Sequence, residues 1–304
     1  MRARRSVLAA MLATLAAFAT AARAADCPPA KLTIVLPTDS PRQGAIFRVT
    51  ARSAAPLARG ALHDGRREIA MEVAESGRTL SALVGIDFET AAGTRTLRVD
   101  AVGACGEPQG AARKIAVVSG RFPTQKLKVD PAYVEPPEDE LERIQRDREK
   151  VARVWANADT ARRWGAPFRV PVASAAPGDF GARRVFNGKP RSRHSGVDLA
   201  APQGTEIAAP APALVALAED LYFSGGTVIL DHGGGLLTTY FHMSSIDVSP
   251  GTEVAAGQRI GAVGATGRAT GPHLHWGARL HRARVNPLDL LRLPTWPSAG
   301  SDSD

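Results

Sequence analysis

Two short stretches, His194-Ser-Gly-Val-Asp198 and His273-Leu-His275, constrain this chain more than anything else in it. Side chains two apart share one face of a strand, and so can side chains four apart, so both spacings suit ligands carried on β-strands. The i, i+4 spacing would also fit a helix, but glycines and a proline flank the two pairs and argue against one. A third stretch, Tyr240-Phe-His242-Met-Ser244, adds another imidazole. Of the seven histidines in 304 residues, four fall in these three motifs. Four imidazoles and one carboxylate make the donor set of a metal site. A catalytic zinc site commonly takes three such ligands with water in the remaining position, and lowers the pKa of that water to about 7. Two further groups are then wanted, one to move protons and one to stabilise the developing oxyanion. The chain is therefore expected to bind a metal and to use it for hydrolysis.

Length and composition allow two buried cores, since 44% of the residues are hydrophobic. Residues 1–24 read as a signal peptide. Arg2, Arg4 and Arg5 form its positive start, Val7 to Phe18 its apolar run, and Ala22-Arg23-Ala24 its small-residue cleavage site. The alternative, an uncleaved anchor, would want a longer apolar run, and no other stretch could span a bilayer. The protein is thus expected to be periplasmic or secreted, without stable membrane insertion after cleavage. Export makes Cys27 and Cys105 a candidate disulfide, closing a long loop and contributing about 4 kcal/mol; two unpaired thiols are the rival reading. Four arginines (Arg2, Arg4, Arg5, Arg23) lie in the leader, so the rest of the chain carries about half of the formal charge of +8. That modest excess suits an anionic polymer such as the bacterial cell wall, or a membrane surface. With aromatics at 5% and an export signal, nucleic acid is not an expected partner.

From 25 to 130, short runs of β-formers (Leu32–Leu36, Ile46–Thr50, Thr96–Val102, Ile115–Val118) separated by turn residues predict a small β-sandwich-like domain. Residues 131–165 read as a proline-containing linker, then a helix. Its acidic start follows Pro136-Pro137, and Leu141, Ile144, Val151, Val154 and Trp155 form its apolar stripe. Residues 166–293 are richer in Gly and Pro and carry the three histidine motifs, with strands expected at Val228–Leu230 and Leu237–Tyr240. Within this segment Gly204-Thr-Glu-Ile-Ala-Ala209 is echoed by Gly251-Thr-Glu-Val-Ala-Ala256, which fits a sheet built from two related halves. Residues 294–304 form a tail expected to be disordered. The other histidines read as bystanders: His63 and His232 in turns, and His281 at the surface among arginines. The run Arg183, Arg184, Lys189, Arg191 and Arg193 reads either as a contact for anionic polymer or as a solvated loop.

The stretch His194-Ser-Gly-Val-Asp198-Leu-Ala-Ala-Pro-Gln-Gly204 resembles the first signature of the M23 metallopeptidases, the lysostaphin and LytM group. Tyr240-Phe-His242-Met-Ser244 resembles that family's Tyr-x-His-Leu-Ser stretch, with Met243 in place of leucine, a volume-conserving swap. Thr266-Gly267-Arg268-Ala269-Thr270-Gly271-Pro272-His273-Leu274-His275-Trp276 is similar to its last motif. The resemblance covers residues 166 to 293. It implies a mainly β chain whose C-terminal domain is a strand-rich half-barrel related to lipoyl-carrier domains. It also implies one Zn2+ per chain held by His194, Asp198 and His275, with His242 and His273 as unligated catalytic histidines. The implied activity is hydrolysis of peptide cross-links in peptidoglycan. Because some relatives have lost ligands and only activate other wall hydrolases, a non-catalytic role is the alternative; all five positions are intact here. The sequence leaves open which bond is cut, whose wall is the target, the oligomeric state, and whether the N-terminal domain binds wall or covers the active-site groove. A carrier role is excluded, because no lysine follows Lys189. Other hydrolase classes lack their motifs: no His-Glu-x-x-His, no Gly-x-Ser-x-Gly, and no cysteine in the C-terminal half.

Overall fold

The computed structural model describes residues 31–74, 76–173 and 180–296. The expected signal peptide, Cys27 and the end of the expected tail lie outside the described residues; Cys105 is not a free thiol. No helix among the described residues is long and apolar enough to cross a membrane.

The N-terminal domain is built from β1 (Thr33–Val35), β2 (Ile46–Arg52), β3 (Leu57–Asp64), β4 (Arg67–Val73), β5 (Thr79–Gly85), β6 (Gly93–Gly103) and β7 (Pro108–Val117), all antiparallel neighbours in the order β1-β2-β5-β4-β3-β6-β7. Alternation sets which face is inward: Leu97, Val99 and Ala101 of β6 are buried while Thr96 and Arg98 face solvent, and Ile69 and Met71 do the same on β4. The expected turn histidine, His63, instead sits within β3, where Nε2 lies 3.1 Å from Asp100 Oδ2.

Beyond it come β8 (Thr124–Leu127) and the helix α1 (Leu141–Ala156). The helix packs Val151, Val154 and Trp155 against Leu217, Leu221, Ile229 and Leu237 of the next domain, whereas Leu141, expected in the stripe, is exposed. Charged side chains secure its flank: Arg143 bonds Asp220 at 2.8 Å, and Asp147 accepts from the Tyr222 N–H at 2.8 Å.

The C-terminal domain holds β9 (Arg183–Phe186), β10 (Lys189–Arg193), β11 (Gly196–Ala200), β12 (Glu206–Ala208), β13 (Ala213–Leu221), β14 (Gly225–Asp231), β15 (Leu236–Ile246), β16 (Glu253–Val254), β17 (Arg259–Val263), β18 (His273–Leu280) and β19 (Ala283–Val285). Its main sheet runs β11-β18-β15-β14-β13-β16; β17 pairs with β12 and β15, and β19 with β18. This is the expected strand-rich half-barrel. Every residue of β14 is buried, because the core takes Val228 and Leu230 on one face and α1 covers Ile229 on the other. Such a strand reads as a continuous apolar run rather than an alternation.

The repeated hexapeptides form equivalent corners. Gly204 and Gly251 both adopt positive φ (86° and 83°), a conformation that glycine reaches at little cost. Thr205 Oγ1 donates to Pro202 O and Thr252 Oγ1 to Ser249 O, each at 2.7 Å. The backbone pairs Gly204–Val263 and Gly251–Val215 match as well, at 2.8 Å. Ile207 and Val254 then enter the same core.

The two domains share more than a linker. β8 pairs in parallel with β9, so the segment before the helix forms one side of a three-stranded sheet, β10-β9-β8, that belongs with the C-terminal domain. Ile46 and Leu83 from the first domain join the second domain's core beside Leu280, Ala283 and Val285. At Gly85 an added Cβ would stand 2.9 Å from Val285 Cγ1, so the close approach there requires glycine. Arg284 makes two 2.9 Å bonds to Asp87. Burial alone would raise the Asp87 carboxyl, but bonds from Arg284 and from the Glu89 backbone outweigh it and hold it below the usual carboxylate range. Trp164 and Trp296, just outside the expected limits of 166 and 293, pack on each other with ring centroids 5.5 Å apart, both buried.

Candidate metal centre and its cleft

β11 and β18 run antiparallel in a register that sets Asp198 directly opposite His275, Ala200 opposite His273, and Gly196 opposite Gly277. His194 lies just before β11, tied by its N–H to Ala182 O at 2.8 Å. The result is a convergence of three donor atoms. His194 Nε2 is 2.9 Å from Asp198 Oδ1 and 2.9 Å from His275 Nδ1, and His275 Nδ1 is 3.1 Å from Asp198 Oδ1. Ligands about 2.0–2.1 Å from a tetrahedral ion would be about 3.3–3.4 Å apart. The three atoms are therefore spaced to close on one small ion with slight expansion, and two imidazoles with a carboxylate suit zinc. No other group of three such residues among the described residues is so arranged.

Packing holds the donors in place. The Phe241 ring stacks on His275 at 4.9 Å with planes 4° apart. On the other side Gly196 makes room: a Cβ there would lie 2.7 Å from His275 Nε2 and 2.4 Å from Trp276 O. Arg184 on β9 bonds Asp198 Oδ2, the carboxylate oxygen that does not face the imidazoles. Burial would raise the Asp198 carboxyl, but hydrogen bonds and charge from His194 and His275 hold it far below the usual range. His275 is pushed down to about 4 by burial, against the pull of Asp198.

His242 and His273 complete the ring of imidazoles, 4.8 Å apart between centroids. His242 has φ 67°, an uncommon conformation for a non-glycine residue but one histidine visits more than most. It falls where β15 changes partner: Phe241 pairs with His275 on β18, and Met243 with Val263 on β17. That break in the ladder turns the imidazole toward the site. Its Nδ1–H donates to Thr266 O at 2.8 Å, and that of His273 to Gly271 O at 2.7 Å. In both rings the tautomer fixed by a carbonyl leaves Nε2 bare. His273 Nε2 lies 3.7 Å from Asp198 Oδ1. Burial, with His275 and His273 nearby, lowers His242 to about 3.

His194, His242 and His275 open into a cleft of about 140 Å³ that also takes in Phe186, Phe223 and Arg268. Among the described residues its lining runs from Arg184 to His275. A larger hollow of about 650 Å³ between β2 and the final turn holds no imidazole.

The five residues singled out by sequence thus meet at one place, while His63, His232 and His281 do not. His232, at the glycine-rich turn as expected, is fully buried. The basic run does not form one patch either: Arg184 bonds Asp198, Lys189 bonds Glu135, Arg191 donates to Val134 O at 2.7 Å, and Arg193 lies over Phe122. Arg184, Arg268 and the Phe186–Phe223 pair were not foreseen as parts of the site. Their motifs are ordinary in sequence, and only the fold brings them together.

DD-carboxypeptidase/endopeptidase Mpg of Neisseria meningitidis is 42% identical over 102 residues, 34% of this chain and 23% of that protein. Peptidoglycan DD-endopeptidase ShyA of Vibrio cholerae is 34% identical over 133 residues, 43% of this chain and 31% of that protein. The alignments therefore span less than a third of either relative's length. A solved M23-family structure from Pseudomonas aeruginosa superposes with a TM-score of 0.61 at 29% identity, over 83% of this chain and 95% of that one, so the likeness takes in both domains. The profile of Peptidase family M23 matches residues 192–287, which hold all five site residues, so this C-terminal segment is a peptidase family M23 domain.

Proposed function

We propose that the chain is an exported zinc-dependent endopeptidase that hydrolyses peptide cross-links of peptidoglycan, with His194, Asp198 and His275 holding one Zn2+ and His242 and His273 as the catalytic pair. The observation that carries this reading is the convergence of three donor atoms within 2.9–3.1 Å beside two imidazoles whose Nε2 atoms are bare. Zinc held there would supply Lewis acidity at the scissile carbonyl and acidify a water molecule. His273, with its Nε2 3.7 Å from Asp198 Oδ1, would act as the general base that accepts a proton from water and returns it to the leaving amine. His242, fixed by Thr266 O, would be neutral at rest and would face the developing oxyanion, stabilising it only with a proton that its Nε2 acquires in the reaction. The names of the two curated relatives support D,D-bonds as the class attacked.

The test is zinc content by elemental analysis together with mass spectrometry of fragments released from purified sacculi. One bound zinc, release of peptide fragments, loss of release on chelation and recovery with zinc are the expected results. A zinc-loaded, folded protein that releases nothing would overturn the enzymatic reading in favour of a non-catalytic activator.

A further inference from the structure

The cleft carries positive charge that the metal centre does not use. No acid lines it, and of its arginines only Arg184 is neutralised, by Asp198 behind the wall. Arg193 is spent on Gly181 O and the Phe122 ring. Arg268 is different. Its guanidinium lies 4.7 Å from the Phe186 ring centroid and 5.0 Å from that of Phe223. Among the described residues it has no hydrogen bond or ion pair from its side chain. Burial, with Arg184 and Arg191 nearby, lowers it to about 10, so it stays charged at neutral pH. Flanking aromatic faces hold the guanidinium in place without consuming its N–H donors. A half-buried guanidinium held by two rings, with its donor fork unspent, is preorganised to take an anionic ligand.

We propose that Arg268 is the carboxylate-binding residue of this cleft, pairing with a free carboxylate on the residue that supplies the scissile amide nitrogen. The proposal rests on the peptidase reading above and names the feature its substrate must carry. The terminal bond of a peptide has a carboxylate at that position. A cross-link made through the second amine of a diamino acid, next to that carbon's free carboxyl, has one there too. A bond inside a glycine bridge does not. The bidentate geometry of guanidinium on carboxylate would fix the distance between the carboxylate and the amide, so one arginine would select both kinds of bond and reject the third.

The test uses the full-length, zinc-loaded protein and two probes, N-acetyl-D-alanyl-D-alanine and its C-terminal amide, with equilibrium binding and hydrolysis measured separately. The wild type is expected to bind the acid about 10- to 100-fold more tightly than the amide, the range for one charge-assisted pair. In Arg268→Ala and in Arg268→Gln that ratio should fall to about one with zinc content unchanged, and Arg268→Lys should keep part of it. A ratio that survives in both variants, or a wild type that does not distinguish the probes, overturns the assignment. Acid-selective binding lost in the variants, with neither probe hydrolysed nor fragments released from sacculi by the wild type, would support Arg268 while overturning the peptidase reading.

Discussion

Two regions of the C-terminal sheet bury histidines, and they differ in one respect. At the glycine-rich turn His232 is fully enclosed, its Nδ1 3.0 Å from Pro212 O and its Nε2 2.8 Å from Thr238 Oγ1, which reaches Tyr240 OH at 2.8 Å. Both ring nitrogens are satisfied inside the protein. Beside the cleft His242 and His273 each spend Nδ1 on a carbonyl; His242 lines the cleft with Nε2 uncommitted, while Nε2 of His273 lies 3.7 Å from Asp198 Oδ1. Proton affinity does not separate the regions, since burial lowers His232 to about 4 and His242 to about 3. The unfilled nitrogen does. A depressed pKa here reports burial; an open donor or acceptor aimed into a cleft reports chemistry.

The sharpest test of this contrast removes one imidazole of each kind. His275→Ala deletes a donor atom and should abolish zinc binding and hydrolysis together, read by elemental analysis and fragment release. His273→Ala and His242→Ala leave the three donors intact, so zinc should remain while kcat falls about 10²- to 10⁴-fold, the usual worth of a proton-handling group. Zinc loss in His273→Ala would mean that its Nε2, 3.7 Å from Asp198 Oδ1, is a ligand and that the roles are exchanged.

How much of this was legible in the sequence follows the same division. The histidine pairs announced themselves because spacing on a strand fixes the face, and β11 and β18 place Asp198 opposite His275. The burial of His232 was not legible because Asp231-His-Gly-Gly-Gly235 marks only the turn it stands at, while Phe168 and Pro212, which enclose it, come from elsewhere in the chain. β8 was missed for a related reason. Thr124-Gln-Lys-Leu127 shows no apolar alternation, and only pairing with β9 makes it a strand. Arg184 was one arginine among many and Arg268 stood in the last histidine motif without an assigned role; their meaning depends on Asp198 for one and on two phenylalanines for the other. Local pattern gives faces and turns, whereas long-range enclosure decides which polar groups are satisfied.

His232 allows the structural half of the contrast to be tested by pH. Its folded value of about 4 lies below the ordinary 6.5. Above pH 6.5 both folded and unfolded chains keep it neutral and its contribution is whole. As pH falls the unfolded chain takes up the proton first, so stability drops between 6.5 and 4, by roughly 3 kcal/mol in total from this group. His232→Gln should remove that share of the pH dependence in zinc-loaded protein while leaving hydrolysis per folded molecule near wild type, checked by urea unfolding across the range. Identical slopes for the two proteins would move the titration to another group.

The smallest expected effect concerns Arg184, which touches the metal centre only through Asp198 Oδ2. Two influences oppose each other. Its charge repels a cation and competes for the carboxylate, so removal could tighten zinc. Its bond also holds the carboxylate with Oδ1 turned to the imidazoles, and losing such outer partners typically costs 10- to 100-fold in metal affinity. Asp198 is already aligned by its place opposite His275, but a strand fixes only the backbone, and the carboxylate remains free to rotate without the guanidinium. Orientation should therefore win by a modest margin, with Arg184→Gln weakening zinc about tenfold in competition against a chelator. Tighter binding in the variant would show that the strand register alone orients Asp198 and that Arg184 acts mainly as a competing charge.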